Sequence, residues 1–138
     1  MNEFGHVTKP PIFARQYYYL ASPYSNELES VREERAIAAC KTMVWLTGQN
    51  YLMFSPILQG HAMWHEKPSL PYTYEHWKTV DEIFIEKSAG IIIACLEGYL
   101  SWRQSKGIQS EVKFAEKRKL PVYKVWLNPK TGSFSFVD

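Results

Sequence analysis

An uninterrupted apolar run at residues 91–96 (IIIACL) is the feature that most restricts the fold of this chain. A strand with one face in water alternates apolar and polar residues, whereas a strand covered on both faces is apolar throughout. The run therefore predicts a central strand whose sheet has helices on both faces. Further runs rich in apolar residues at 17–21, 51–55 and 122–127 predict three more strands.

Helical patterns occupy the segments between these strands. Residues 26–48 are predicted to form the first helix, which begins with a candidate capping box of Asn26 and Glu29. Residues 74–88 and 107–119 are predicted to form two more helices, so that strands and helices alternate along the chain. Pro56 is interpreted as the end of the strand at 51–55, and residues 57–71 are rich in His, Trp and Pro, which favours a long functional loop or lid. A second long loop is predicted at 97–106. Phe134 and Phe136 alternate as in a short edge strand. This order predicts an α/β fold with a mostly parallel sheet of four to five strands.

Length and composition predict one domain and exclude several partners. The 138 residues suffice for a single core at 17–138, with residues 1–16 as an irregular N-terminal arm. A net charge of +2 does not favour a nucleic-acid polymer, and no apolar run is long enough to span a membrane. Cys40 and Cys95 are interpreted as buried free thiols, so we expect a cytoplasmic protein.

Ligands of parallel α/β sheets bind beyond the carboxyl ends of the strands. The loop after the first strand carries Ser22, Pro23, Tyr24 and Ser25. Its hydroxyl groups and backbone N–H groups suit an anionic or hydroxyl-rich ligand, although a plain turn with a helix cap explains them equally well. Arg32 either faces this loop or pairs with a neighbouring acid of its own helix.

His61 and His65 are spaced as two metal ligands on one helix would be. The Glu-x-x-His pattern that often accompanies such ligands is missing beside them, and Pro68 and Pro71 argue against a long helix there. We therefore predict that His61 lines a pocket, and that the protein needs neither a metal nor another cofactor.

Asp81 and Glu111 are the two carboxylates best placed for chemistry. Asp81 lies in an otherwise apolar helix stripe, where an unsatisfied carboxylate is costly. Glu111 follows one turn after the helix start at Gly107, although an acid there also fits a purely structural role with the helix dipole. Two carboxylates in one crevice suit glycosidic chemistry. Nucleophile-elbow, phosphate-loop and dinucleotide motifs are absent from the sequence.

The chain resembles the nucleoside 2-deoxyribosyltransferase-like superfamily, and within it a small uncharacterised group common in bacteria and phages. The similarity covers about residues 17–125. Its marks are, in order, YLASPYS at 19–25, FSPI at 54–57 with His61, Trp77 with Asp81, and SKGIQSE at 105–111. Each segment is a weak signal alone, whereas four of them in order at strand ends form a fairly specific one.

The resemblance implies a flavodoxin-like (Rossmann-like) sheet and cleavage of an N-glycosidic bond. The residue matching Glu111 is the nucleophile at C1′ of the sugar in this superfamily, and the residue matching Asp81 works near the base. At the position of Ser105 the transferases carry an Asp that holds the 5′-hydroxyl, whereas the nucleotide N-hydrolases carry a Ser that accommodates a 5′-phosphate. Ser105 therefore implies a nucleoside 5′-monophosphate as substrate, with water as acceptor.

The resemblance completes a candidate site. Phosphate or sugar would be held by Ser22, Ser25, Ser105 and the backbone of Gly107, and the base would stack on Tyr24, Trp77 and Trp102. The alternatives are a deoxyribosyltransferase that exchanges bases, a nucleotide-binding or sensor module without turnover, and an interaction protein. Dimers are common in the superfamily and a neighbour often completes the site, so we expect a homo-oligomer that binds a small nucleotide or nucleoside.

Overall fold

The structure, a computed structural model, describes residues 9–68, 73–96 and 101–138. The described residues form five strands, four α-helices and one short 3-10 helix. In chain order these are β1 Tyr18–Ala21, α1 Glu29–Gly48, β2 Met53–Phe54, α2 Pro56–Glu66, α3 Tyr74–Glu86, β3 Ile91–Cys95, the 3-10 helix Ser101–Gln104, α4 Lys106–Lys117, β4 Val122–Leu127 and β5 Phe134–Val137.

The strands form one sheet in the order β2-β1-β3-β4-β5. The first four strands are parallel and β5 is an antiparallel edge strand, which confirms the predicted α/β, flavodoxin-like fold. Strands β1 and β3 are neighbours in space although α1, β2, α2 and α3 separate them in sequence. The strand order reverses at this pair, and a crevice opens at such a switch point.

Helices cover both faces of the sheet, as the apolar run at 91–96 predicted. Ala39 and Leu46 of α1 pack on one face, against Leu20 and Ile92 among others. The opposite face is covered by α3 and α4, and every residue of β3 is buried. The side chain of Tyr19 is buried in this second face, together with Ile85 of α3 and Ile108 of α4.

The segment 57–71 was wrongly predicted to be a long loop, because most of it is helix α2. Ser55 is the N-cap, and its Oγ accepts a hydrogen bond of 3.3 Å from the backbone N–H of Leu58. Pro56, which the strand interpretation used as a stop, is the first helical residue, where its fixed φ is favourable. Residues 69–72 of the predicted loop, and 97–100 of the predicted loop after β3, lie outside the described residues.

Helix α1 begins and ends differently from its sequence signals. The predicted capping box does not form: the N-cap is Leu28, whose backbone N–H donates to Asn26 Oδ1 over 2.9 Å in a local turn. At the other end Gly48 is still helical, and the left-handed conformation falls on Asn50 with φ of 74°. Helix α1 also exposes Cys40, which we expected to be buried.

Gly90 fixes the position of β3 between its two neighbours. Its carbonyl accepts a hydrogen bond from Tyr19 N–H, and the next residue, Ile91, donates to the carbonyl of Pro121. Gly90 has φ of +149°, and a Cβ there would lie 2.6 Å from the Pro121 oxygen. Only glycine allows the backbone at residue 90 to come this close to Pro121. This close packing helps to set the register between β3 and β1, the strand that contains Tyr19.

Two tyrosine hydroxyl groups hold the start of the described chain against the domain. Tyr51 donates to the carbonyl of Pro10 over 2.7 Å, and Tyr18 donates to that of Pro11 over 2.6 Å. Residues 9–16 lack helix and strand. None of the described helices is both long and apolar enough to cross a bilayer.

Candidate active site

A pocket of about 990 Å³ opens beyond the carboxyl ends of β1 and β3, which is a volume suited to a small ligand. Ten of the eleven residues that the sequence predicted for the site line this one pocket, and Trp102 is the exception. They are Ser22, Pro23, Tyr24, Ser25, His61, Trp77, Asp81, Ser105, Gly107 and Glu111. The structure thus brings together residues from four separate parts of the chain, while their chemical roles stay predictions.

Glu111 and Asp81 come to the pocket from two helices that pack side by side on the sheet. Glu111 lies in α4 and Asp81 in α3, and both helices cover the face that contains the Tyr19 side chain. The Tyr19 hydroxyl group interacts electrostatically with both carboxylates. Tyr19 was not predicted from the sequence to be a functional residue. A phenol in a strand covered on both faces is nevertheless a signal, because its hydroxyl group must be buried with it.

Besides Trp102 Nε1 in the core, three buried polar atoms at this end of the sheet lack hydrogen-bond partners among the described residues. These three, which lie at the pocket or beside its carboxyl groups, are the Tyr19 hydroxyl oxygen, Asp81 Oδ1 and Ser22 Oγ. The Tyr19 hydroxyl group is near enough to lower the pKa values of both carboxyl groups, but it is not in hydrogen-bonding geometry with either. Buried polar groups are normally satisfied, so three exceptions together indicate a place for ligand atoms or water.

The two carboxyl groups have unequal proton affinities. Burial raises the pKa of Glu111 to about 8; Tyr19 lowers it in part, and the charge of Asp81 raises it further. Burial raises the pKa of Asp81 to about 6, against a lowering by Tyr19. Burial and both carboxylates raise the pKa of Tyr19, which therefore stays a hydrogen-bond donor. Near neutral pH the two carboxyl groups together hold about one proton, which they share. Such a pair can supply one base and one acid.

The N-terminus of α4 forms the positively polarised wall of the pocket. Ser105 is the N-cap, and its Oγ accepts a hydrogen bond of 3.3 Å from Ile108 N–H, which leaves its own hydrogen free for a ligand. The first turn of α4, which is fully described, contains no acid and begins with Lys106. A cation at a helix N-terminus is unfavourable, so the arrangement suits an anion that is bound there.

The loop after β1 is braced against α1 and α2. Tyr24 shares a hydrogen bond of 2.7 Å with Nδ1 of His61, and the two rings meet edge to face at 5.4 Å. The carbonyl of Ser25 accepts a hydrogen bond from Arg35 over 2.7 Å. Pro23 is buried beneath the loop. The loop is therefore held in place before any ligand arrives.

The aromatic residues divide into pocket and core. Trp77 lines the pocket, and a Cβ on Gly60 of α2 would lie 3.5 Å from its ring. Trp102, which we expected to stack on a base, is not part of the pocket lining. It packs with the β3 face of the core, and its ring is covered by Arg103 and Lys124. The prediction for Trp102 is wrong because residues 101–104 turn its ring toward the sheet.

Positively charged side chains also reach the pocket. Arg32 lines it, donates to the carbonyl of Asn26 and lies over the ring of Trp64. Of the two alternatives for Arg32, the structure therefore favours the loop over the acid on its own helix. Arg35 and Lys106 line the pocket too and were not predicted from the sequence.

A second group of ionisable side chains stands beside the pocket. Glu33 of α1 meets His61 and His65 of α2, and the ligand atoms of the three residues lie within 4.8 Å of one another. The spacing of the two histidines was visible in the sequence, whereas Glu33 was not predicted to join them because it lies in a different helix. Burial raises the pKa of Glu33, but its hydrogen bonds with the two histidines outweigh this and leave the pKa below its ordinary value.

The fold and the site together define a class: a flavodoxin-like domain with a carboxylate-lined pocket at the switch point of its sheet. The chain belongs to a family described as a domain of unknown function, DUF1937, whose profile matches residues 16–126. No curated protein matches the chain in sequence. The family description states no activity.

Proposed function

We propose that the protein cleaves the N-glycosidic bond of a nucleoside 5′-monophosphate and releases the base. The observation that carries the proposal is the pair of pocket carboxyl groups, Glu111 and Asp81, with unequal pKa values and an unpartnered Tyr19 hydroxyl group beside them. Glycosidases use two carboxyl groups in different protonation states. The resemblance to the deoxyribosyltransferase-like superfamily supports the same chemistry.

In the proposed reaction Glu111 attacks C1′ of the sugar in its ionised form. The bond between C1′ and the base nitrogen breaks, its electron pair goes to the base, and Asp81 donates a proton to that base. Water then cleaves the glycosyl ester of Glu111, with Asp81 taking a proton from the water. In the free protein the higher pKa places the shared proton on Glu111. Positive charge developing at C1′ favours the ionised form of Glu111 and hence the proton on Asp81.

The N-terminus of α4 supports a phosphate in the substrate. Ser105 can donate its hydroxyl hydrogen, Lys106 supplies a positive charge, and the backbone at Gly107 is open, since a Cβ there would approach only Ser105 Oγ at 3.9 Å. These groups suit a phosphate dianion better than an uncharged 5′-hydroxyl group. Trp77 and Tyr24, which also line the pocket, offer rings for the base.

Product analysis tests the proposal directly. The protein is incubated with the common nucleosides and their 5′-monophosphates, with and without an added acceptor base, and the products are separated by chromatography. We expect free base and sugar 5-phosphate from a monophosphate without acceptor. Products that form only with an acceptor base would make the protein a transferase. Calorimetric binding without any product over hours would make it a non-catalytic binding module.

The phosphate preference is tested by changing the charge of one helix cap. Ser105→Asp and Ser105→Asn both retain a good N-cap, so both variants should remain folded. The Asp carboxylate repels a phosphate, and we expect kcat/KM for the monophosphate to fall at least about a hundredfold relative to Ser105→Asn. Activity on the unphosphorylated nucleoside should fall much less. Equal losses on both substrates in Ser105→Asp would contradict a phosphate at this helix end.

A homo-oligomer in the cytoplasm stays a prediction. Helix α1 offers a surface for such an assembly, because Ile37 and Val44, seven residues apart on one side of the helix, are both more than half exposed. Exposed apolar side chains on one helix are typical of a contact between copies. Light scattering on the purified protein at micromolar concentration would measure its mass, and a mass of 16.1 kDa would rule out the assembly under those conditions.

A further inference from the structure

Beside the pocket, Glu33, His61 and His65 form a compact cluster, which we call the His-Glu cluster. The two histidines are four residues apart in α2, so both rings point to the same side of that helix. The Nε2 atoms of His61 and His65 are 3.2 Å apart. One Glu33 oxygen lies 3.2 Å from His61 Nε2, and the other is in close contact with His65 Nε2.

These separations match a metal site. Two ligands of a tetrahedral ion with bonds of about 2.0–2.1 Å lie about 3.3 Å apart. The two Nε2 atoms are at that spacing, and so are His61 Nε2 and one Glu33 oxygen. Two imidazole nitrogens facing each other and a carboxylate need a shared cation or protons between them, because lone pairs alone repel. Two histidines and one glutamate are a ligand set that Zn²⁺ uses.

Tyr24 supplies the outer contact that metal-bound histidines usually have. Its hydroxyl group is 2.7 Å from Nδ1 of His61, on the side of the ring away from the cluster. When Nδ1–H donates to that oxygen, the lone pair of Nε2 is left to face the ion, and the ring is held in orientation. The positively charged side chain of the neighbouring Arg32 donates hydrogen bonds to the carbonyls of Asn26 and Glu27.

We propose that Glu33, His61 and His65 bind one divalent transition-metal ion, best matched by Zn²⁺, at the wall of the pocket. Three protein ligands leave a fourth position for water or an oxygen of a bound ligand. Because His61 lines the pocket, the oxygen that fills this fourth position can belong to a molecule bound in the pocket. The proposal does not depend on the glycosidase proposal, since it concerns binding of the ion alone.

Calorimetric titration of ZnCl₂ into chelator-treated protein at pH 7.5 tests the site. We expect one ion per chain in the wild type, and an affinity at least about a hundredfold weaker in His65→Ala and in Glu33→Gln, each of which removes a ligand. His65 and Glu33 are partly exposed, so both variants should fold, which circular dichroism checks. The matched controls are His76→Ala and Glu34→Gln, two exposed residues outside the cluster.

Two further measurements separate a metal site from a hydrogen-bonded cluster. Co²⁺ should give the visible absorption of a tetrahedral site, and His65→Ala should lose it. Tyr24→Phe should weaken Zn²⁺ binding about tenfold, because it removes only the outer contact. Absence of binding by the folded wild type, or equal binding by His65→Ala and His76→Ala, would overturn the proposal. Glu111→Gln should bind Zn²⁺ normally, which keeps this test distinct from that of the glycosidase.

Discussion

Replacing Glu111 with glutamine should lower the rate of base release by at least about a thousandfold, because an uncharged amide cannot attack C1′. Glutamine has nearly the same shape as glutamate, so the pocket should still form and bind nucleotide. The measurement is kcat for base release from the best nucleoside 5′-monophosphate, together with the dissociation constant by calorimetry. A loss in kcat with retained binding is the expected result.

Glu116→Gln is the matched control for this experiment. Glu116 lies on the same helix, α4, but is exposed to solvent and away from the pocket lining. Its replacement should leave kcat unchanged. Asp81→Asn should lower kcat less than Glu111→Gln does, about a hundredfold, because it removes proton transfer but not the nucleophile. If Asp81→Asn abolishes turnover and Glu111→Gln is nearly as active as wild type, the two roles have been given to the wrong residues.

The sheet could be predicted from the sequence because its strands are marked by local patterns. The apolar run at 91–96 identifies β3 from local sequence alone. The strand predicted at 122–127 matches β4 at both ends. Helix α2 was missed because Pro56 was interpreted as the end of a strand rather than as the first residue of a helix. The same proline fits both positions, and the cap at Ser55 that decides between them is visible only in the structure.

The pocket lining could be predicted because parallel topology brings strand ends to one edge. Ser22 and Ser105 follow two different strands, yet β1 and β3 are neighbours, so the segments that follow them meet. The His-Glu cluster could not be predicted in this way. Glu33 reaches His61 through the packing of α1 on α2, which depends on a helix that the sequence pattern did not indicate. Contacts between two helices are set by tertiary packing rather than by local signals.

Glu111 should also make the protein less stable as the pH rises. Its pKa is raised from 4.5 to about 8 in the folded protein, mainly by burial. Between these two pH values the folded state holds a proton that the unfolded state has lost, so folding takes up a proton. Stability must therefore fall with rising pH through this window. A group that serves only the fold would not be expected to impose this cost, whereas a catalytic carboxyl group often does.

Glu111→Gln should remove this loss, because glutamine does not ionise. At pH 9 we expect the variant to be about 2–4 kcal/mol more stable than wild type, since one pKa unit corresponds to about 1.4 kcal/mol and the open pocket admits some water. At pH 4.5 the two should differ little. Urea unfolding at pH 4.5, 7 and 9 measures the difference, with Glu116→Gln as the control that should follow wild type throughout. A variant that is less stable than wild type at pH 9 would mean that the Glu111 carboxylate is well solvated or paired in the folded protein. In that case its raised pKa, and with it the acid and base pairing with Asp81, would have to be abandoned.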